Sequence, residues 1–552
     1  MRNALARIIA GFLLFAVAGH LALGQGAQQK RQAITTRLAL AKTFFDRMPP
    51  LQRKALSAGA QNFRNLAENW AEVGMLLGRP ASSINAALSD PPLPDTDSGS
   101  VLGGRVHSES STAWCGSNVV VGANDSGSFV ETLPVSGIGL SFNGFWRSTN
   151  TGTSFGDKGF MPPGTNINNI LSGDPVNVCT NSLTFYESSL LESTDSVGNP
   201  LTEISISKST DGGSTFGNPV VVAMANGRTH FLDKDWMAAD PVTPTTLYVT
   251  FTDFDNTGSV CGSTLGVPNP NTIIKVSKST NAGSSWGVPL SIAHVCGSPL
   301  TGLPFVQGSQ VAVGTNHNVN VSWELFTSGT SPFTSSIMFA KSTNGGSSFG
   351  FAVKAATVHC TGDCFELQGN FRDFQFPAMV LDGSNNPHIF WNDGALQVTD
   401  ALSFLTGKYG YADILTVAST NGGTSFGLPV RVNTNVEPLP NGRGTDQYQP
   451  AVAIDKTGKM AACYYSRETD TTNYKFDRFC ATSTNGGASW TATRVTTVSS
   501  PPIHATDVLL NAFYMGDYDT LADDQTDANT GFIGAFEVNN ITGNANLQAT
   551  KF

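Results

Sequence analysis

The chain has 552 residues, 57 of them glycine, a net charge of −10 and only 13% charged side chains. That charged share is about half the usual one, with Gly, Ser, Thr and Asn filling the gap, which suits an all-β protein of short strands and turns. The lack of basic clusters argues against nucleic acid and against an anionic membrane surface, and leaves a neutral, polar or cation-bridged partner.

In chain order, the first segment reads as an export signal over residues 1–24. Arg2 and Arg7 precede a short apolar run, Ile8 to Gly19, and Ala22-Leu23-Gly24 supplies small residues for cleavage. The alternative, a membrane anchor, needs about 20 apolar residues. Export implies a secreted or periplasmic protein, with no membrane association once the signal is removed. Residues 25–90 then read as helical. Phe63, Leu66, Trp70, Val73 and Leu77 fall on one helical face, Pro49-Pro50 divides two helices, and Gly78-Arg79-Pro80 ends the second. A helix pair packed on the main domain, a propeptide and a partner-binding arm all fit. Pro91 to Pro94, between Asp90 and Asp95, predicts a linker over residues 91–97.

From about Ser98 the chain repeats. STNTGTSF, STDGGSTF, STNAGSSW, STNGGSSF, STNGGTSF and STNGGASW begin at Ser148, Ser209, Ser279, Ser342, Ser419 and Ser483. In each, Asn or Asp favours a turn, glycine supplies positive φ, and the aromatic enters the next strand and buries its ring under the turn. Two apolar strands precede each string, as in "QFPAMVLDGSNNPHIFWND" from Gln375 and "QPAVAIDKTGKMAACYYSR" from Gln449. Each unit therefore reads as three strands, a stapled turn and a fourth strand, which is one propeller blade. The turns number six. A seventh unit starts at Tyr514 without its turn, and the stretch from Val101 to His107 is placed to complete it. The fold expected is an all-β propeller of six or seven four-stranded blades over residues 98–552, seven being favoured, behind a helical N-terminal region.

The six strings resemble the Asp-box, or BNR repeat, of sialidases and related propellers. The resemblance covers about Ser98 to Phe552. It implies glycan recognition and glycosidic-bond hydrolysis: three arginines hold a sugar carboxylate, a Tyr activated by a Glu attacks, and an Asp transfers the proton. The family's Arg-Ile-Pro motif is missing, and Arg105 is its nearest substitute.

If the stapled turns mark one face, the other face is an open mouth. Candidate ligand-binding residues there are Arg105, Arg228, Arg372, Arg443, Arg467, Trp236, Asp446 and Asp517. Catalytic candidates are Tyr448 or Tyr514 as nucleophile and Asp235 or Asp373 as acid/base. Arg372 is also placed to neutralise Asp373. Further acids, among them Glu109, Asp125, Asp174, Asp233 and Asp253, give a ring of like charges that raises pKa values or recruits Ca²⁺. The rival reading is a non-catalytic ligand-binding or scaffold propeller. Eight cysteines in an exported chain point to disulfides. Cys463–Cys480 faces across a hairpin and Cys360–Cys364 is local, leaving Cys115–Cys179 and Cys261–Cys296. No CxxC is present, which argues against zinc.

Overall fold

The computed structural model describes residues 28–76, 93–94, 106–327, 334–360, 366–369, 371–394, 411–436, 444–502, 515–539 and 545–552. Seven antiparallel sheets stand around one axis. Their first strands are His107–Cys115, Ile170–Asn181, His230–Ala239, Phe305–Val313, Ala378–Leu381, Gln447–Ile454 and Leu521–Ala522, opening blades 1 to 7. First strands of successive blades lie against one another, and blade 7 returns to blade 1. Blades 1 to 6 have four strands in simple sequence order. Blade 2 also pairs its first strand, in parallel, with Leu140–Ser141.

Blade 7 contributes three antiparallel strands, the last being Ala545–Lys551. Its outer edge is covered from the other end of the chain. Val106 makes a parallel bridge to Ala545, and the Leu93 N–H donates to the Leu547 carbonyl at 2.7 Å. This pairing of chain ends removes an exposed strand edge.

The six repeated strings form one turn. In the copy at Ser342, the Gly346 N–H donates to Ser342 Oγ at 2.9 Å, Ser342 Oγ donates to Asn344 Oδ1 at 2.8 Å, and Asn344 Oδ1 accepts the Ser348 N–H at 2.9 Å. Gly345 and Gly346 have φ of 64° and 81°. The aromatic ring that follows is only partly buried in most copies and is most enclosed at Phe216 and Trp490, 8% and 9% exposed.

A second device joins the blades. The residue before the Ser-Thr pair reaches the turn of the next blade. Arg147 Nε donates to the Gly212 carbonyl at 2.7 Å, Lys278 Nζ to Gly345 at 2.8 Å and Lys341 Nζ to Gly422 at 2.5 Å. In blade 5 that residue is Ala418.

Disulfides Cys115–Cys179, Cys261–Cys296 and Cys463–Cys480 are formed, the first tying blade 1 to blade 2. Cys360 is also bonded, and Cys364 lies outside the described residues.

The N-terminal region forms three helices: α1 over residues 28–47, α2 over Pro50–Lys54 and α3 over Ala58–Leu76. The sequence suggested two, and α2 is the short piece added after Pro49. In α1, Ile34, Leu38, Ala41 and Phe45 recur every three or four residues and are 3% exposed or less. In α3, Phe63 and Leu66 are buried and Trp70 packs against the same core. Phe44, Phe45 and Phe63 surround Phe231 of blade 3, with ring centroids 6.2, 5.2 and 6.4 Å away. The helical arm thus shares a core with the propeller. Among the described residues, no helix is long and apolar enough to cross a membrane.

Candidate functional site

Successive strands alternate in direction. The repeated turns and the turns after each first strand therefore share one face, and the loops entering each first strand share the other. The second face is the expected mouth.

Just inside the mouth, the first strands of blades 1, 2, 3, 4 and 6 break register at the same place. Glu109, Asp174, Lys234, Gly308 and Gln449 there have φ between 51° and 71°. Such a bulge re-aims a side chain. It brings Glu109, Asp174 and Lys234 together with Asp517 and Tyr518 of blade 7. Glu109 hydrogen-bonds Asp174 and accepts the Asp517 N–H at 2.8 Å. Lys234 Nζ stands 3.6 Å from the Tyr518 ring centroid and 5.0 Å from that of Trp236. Burial, then Asp174 and Asp517, hold the Glu109 carboxyl well above the ordinary range.

The helical arm closes this mouth. Ser57 caps α3, its Oγ accepting the Ala60 N–H at 3.2 Å. The start of α3 points at the axial acids. The Gly59 N–H donates to Asp174 Oδ1 at 2.7 Å and the Ser57 N–H to Asp233 Oδ2 at 2.9 Å, with Ser57 Oγ donating to the same carboxylate. A helix N-terminus favours carboxylates here through its dipole and its free amides. Gly59 admits no side chain, since a Cβ would lie 2.8 Å from Asp174 Oδ1. Gln307 Nε2 donates to Asp233 at 2.7 Å, and Asp233 is pushed up to about 7 by burial and then by Asp174.

Arg372 completes the clamp. Its Nε and Nη2 bind Asp517 at 2.6 and 3.0 Å, and its Nη1 donates to the Lys54 carbonyl at 3.0 Å, with Leu56 O also accepting from Nη2. The partner of Arg372 is thus Asp517 and not Asp373. Further out, Arg37 pairs with Glu192. Lys30 Nζ donates to the Thr132 carbonyl at 2.7 Å, at the end of α4 (Ser126–Thr132).

The other nominated residues are dispersed. Asp235 accepts from Ser188 and is held well above the carboxylate range by burial. Asp373, bonded by Gln375 and Asn392 at 3.1 and 2.8 Å, is pushed up to about 8 by burial and then by Asp446. Asp446 belongs to Arg467, at 3.3 Å, and Asn473, at 2.7 Å. Tyr448 is fully buried, stacked on Tyr465 at 5.5 Å, and burial raises its hydroxyl. Arg228 is in the exposed turn after Asn226. Arg228, Arg372 and Arg467 therefore do not converge on one pocket. Tyr514, Arg105 and Arg443 lie outside the described residues. Among those described, no three metal-ligating side chains gather at a point, and the axial carboxylates are bonded as above.

Sequence reading missed one acid–Tyr group. Tyr465 donates to Asp519 Oδ2 at 2.6 Å and accepts the Glu537 N–H at 2.8 Å, and Arg478 stands 3.3 Å from Asp519. It is buried between blades 6 and 7, and only the alternation of strands across a blade interface brings it together.

The large accessible concavity lies on the opposite face. A funnel of about 520 Å³ descends along the axis between the ends of the first strands. Its lining includes Val176, Met237, Val311 and Met379, together with Trp114 and Trp236.

No family model matches the chain, and no curated protein matches it. Solved structures similar to it include a Hadza microbial sialidase, at 12% identity over 74% of this chain and 73% of that one, with a TM-score of 0.40. A polysaccharide lyase, an ulvan lyase, is 9% identical over 82% of this chain and 94% of its own, with a TM-score of 0.46. An α-L-arabinanase of Penicillium chrysogenum is 12% identical over 66% and 93%, with a TM-score of 0.39. The chain is a seven-bladed β-propeller whose mouth is closed by its own helical arm, and its likeness to these carbohydrate-active proteins is one of architecture.

Proposed function

We propose that this protein is an exported, non-catalytic propeller that binds its ligand in the axial funnel. The observation that supports this is the use made of the mouth. Asp174, Asp233 and Asp517, which a mouth-side reaction would employ, are spent on Gly59, Ser57 and Arg372 beneath a helical arm that shares the propeller's core. The funnel has the volume of a small-molecule site. The disulfides and the basic-then-apolar N-terminus support export. The test is a thermal-shift screen of glycans and small organic compounds on the full chain and on Ala239→Phe, which narrows the funnel. A ligand that stabilises only the parent chain supports the reading. Ligands that stabilise both equally remove it.

A second reading, glycoside hydrolysis at the mouth, is favoured by one feature. Glu109, its carboxyl held well above the ordinary range by burial and then by Asp174 and Asp517, is the group suited to donate a proton in glycosidase chemistry. Dye release from aryl sialosides or arabinosides by the full chain, lost in Glu109→Gln and Asp174→Asn, would establish it over the first.

A further inference from the structure

The charge around the funnel is one-sided. Its lining residues from blades 1 to 4 carry no charge. From blades 5 to 7 come Asp382, Asp455, Asp523 and Asp527, on the turns that follow the first strands, with Lys456 the single lining cation among the described residues. Lys456 Nζ is already bound to the backbone carbonyl of Asp527. The fifth lining acid, Asp519, is matched by Arg478. Beneath this rim the lining residues are mostly apolar, with Val311 and Met379 among them.

We propose that the funnel is a binding site for an organic ammonium compound, an apolar body bearing a positive head. This rests on the reading above that the funnel is the ligand site. The apolar body displaces water from the throat, and the head lies against the acidic wall of blades 5 to 7. An anionic ligand of the same shape meets repulsion there, and a neutral one gains only the burial of its chain. Asp523 already feels its neighbours. Asp523 is pushed up to about 7 by burial and by Asp527, Asp455 and Asp524, a repulsion that a bound cation relieves. Asp382 has the imidazole of His388 3.6 Å away, but burial lowers that histidine and leaves it neutral at pH 7.

The test is calorimetric titration of the full chain at pH 7 and low salt with three probes of one chain length: octyltrimethylammonium, octyl glucoside and octanoate. The expected order is ammonium, then glucoside, then octanoate. Asp523→Asn/Asp527→Asn, a pair of near-isosteric changes on the rim, is expected to weaken the ammonium probe about tenfold and leave the glucoside unchanged. Ala239→Phe is expected to weaken both. Glucoside or octanoate binding as tightly as the ammonium, while still sensitive to Ala239→Phe, overturns the cationic class and leaves the funnel as the ligand site. Binding of the ammonium probe that ignores both variants, or no saturable binding of it, overturns the inference.

Discussion

The backbone N–H of Gly59 donates to Oδ1 of Asp174 at 2.7 Å, joining the first turn of a helix to the axis of a propeller 115 residues further on. Asp174 reaches that position because it sits in a bulge at φ 58°. One bond thereby ties the conformation of an inner strand to the closure of the mouth. Gly59→Ala places a methyl 2.8 Å from that oxygen and 2.9 Å from the Gly173 backbone. It is expected to destabilise the chain by about 2 kcal/mol, read by chemical denaturation and by faster proteolysis of the arm.

Arg372 also links arm and propeller. Arg372→Met keeps much of the packing over Phe374, whose ring centroid is 4.3 Å from the guanidinium. It leaves Asp517 buried without its cation. The expected loss is about 3–5 kcal/mol. Arg372→Met/Asp517→Asn is expected to recover a good part of it, which a double-mutant cycle measures.

Stability is expected to fall as pH rises from about 5 to 8. Glu187 is pushed up to about 7 and Glu324 to about 8, mainly by burial. Between the ordinary carboxyl range and those values the folded chain holds protons that the unfolded chain has released, so raising the pH favours unfolding. His230 and His359, raised by Asp253 and Asp393 against the effect of burial, act in the same direction. Melting temperatures across that window check the slope. Glu324→Gln, a neutral isostere, is expected to flatten it and to stabilise the chain at pH 8.

Lys278 stitches blade 3 to blade 4 through the Gly345 carbonyl, with its Nζ 5.5 Å from the Tyr248 ring centroid. Lys278→Met retains the apolar stem and is expected to cost about 1.5 kcal/mol. Ala418→Lys, which supplies the missing stitch in blade 5, is expected to raise the melting temperature.

Removing the Cys115–Cys179 bridge as the double alanine variant is expected to cost about 2–4 kcal/mol. The two residues are 64 apart in sequence and hold the first strands of blades 1 and 2 together. The same substitution at Cys463–Cys480, 17 apart within one hairpin, is expected to cost less. Denaturant midpoints separate the two.

Much of the fold was legible because its signals are local. Ser342, Asn344 and Gly346 make their bonds within seven residues, so a turn repeated six times reads as six hairpins, while the seventh unit, starting at Tyr514 without that turn, left six or seven blades open with seven favoured. The face of α3 was legible for the same reason, since Phe63, Leu66 and Trp70 need only helical spacing. Of the disulfides, Cys463–Cys480 was legible because its two strands form one hairpin, while Cys115–Cys179 and Cys261–Cys296 were the pairings left over.

The site was not legible in this way. Arg372 with Asp517, Lys234 with Tyr518, and Gly59 with Asp174 meet only after seven blades close into a ring and a bulge turns the inner residues toward its axis. No short pattern marks that bulge, because its residues are as different as Glu109, Lys234 and Gly308. Sequence by itself determined the blades, because each is built from contacts between near neighbours in the chain. Whether the mouth is open was decided by tertiary structure alone, because helix α3 finds its carboxylates more than a hundred residues away, where the low dielectric of a shared core makes an unpaired acid too costly to leave.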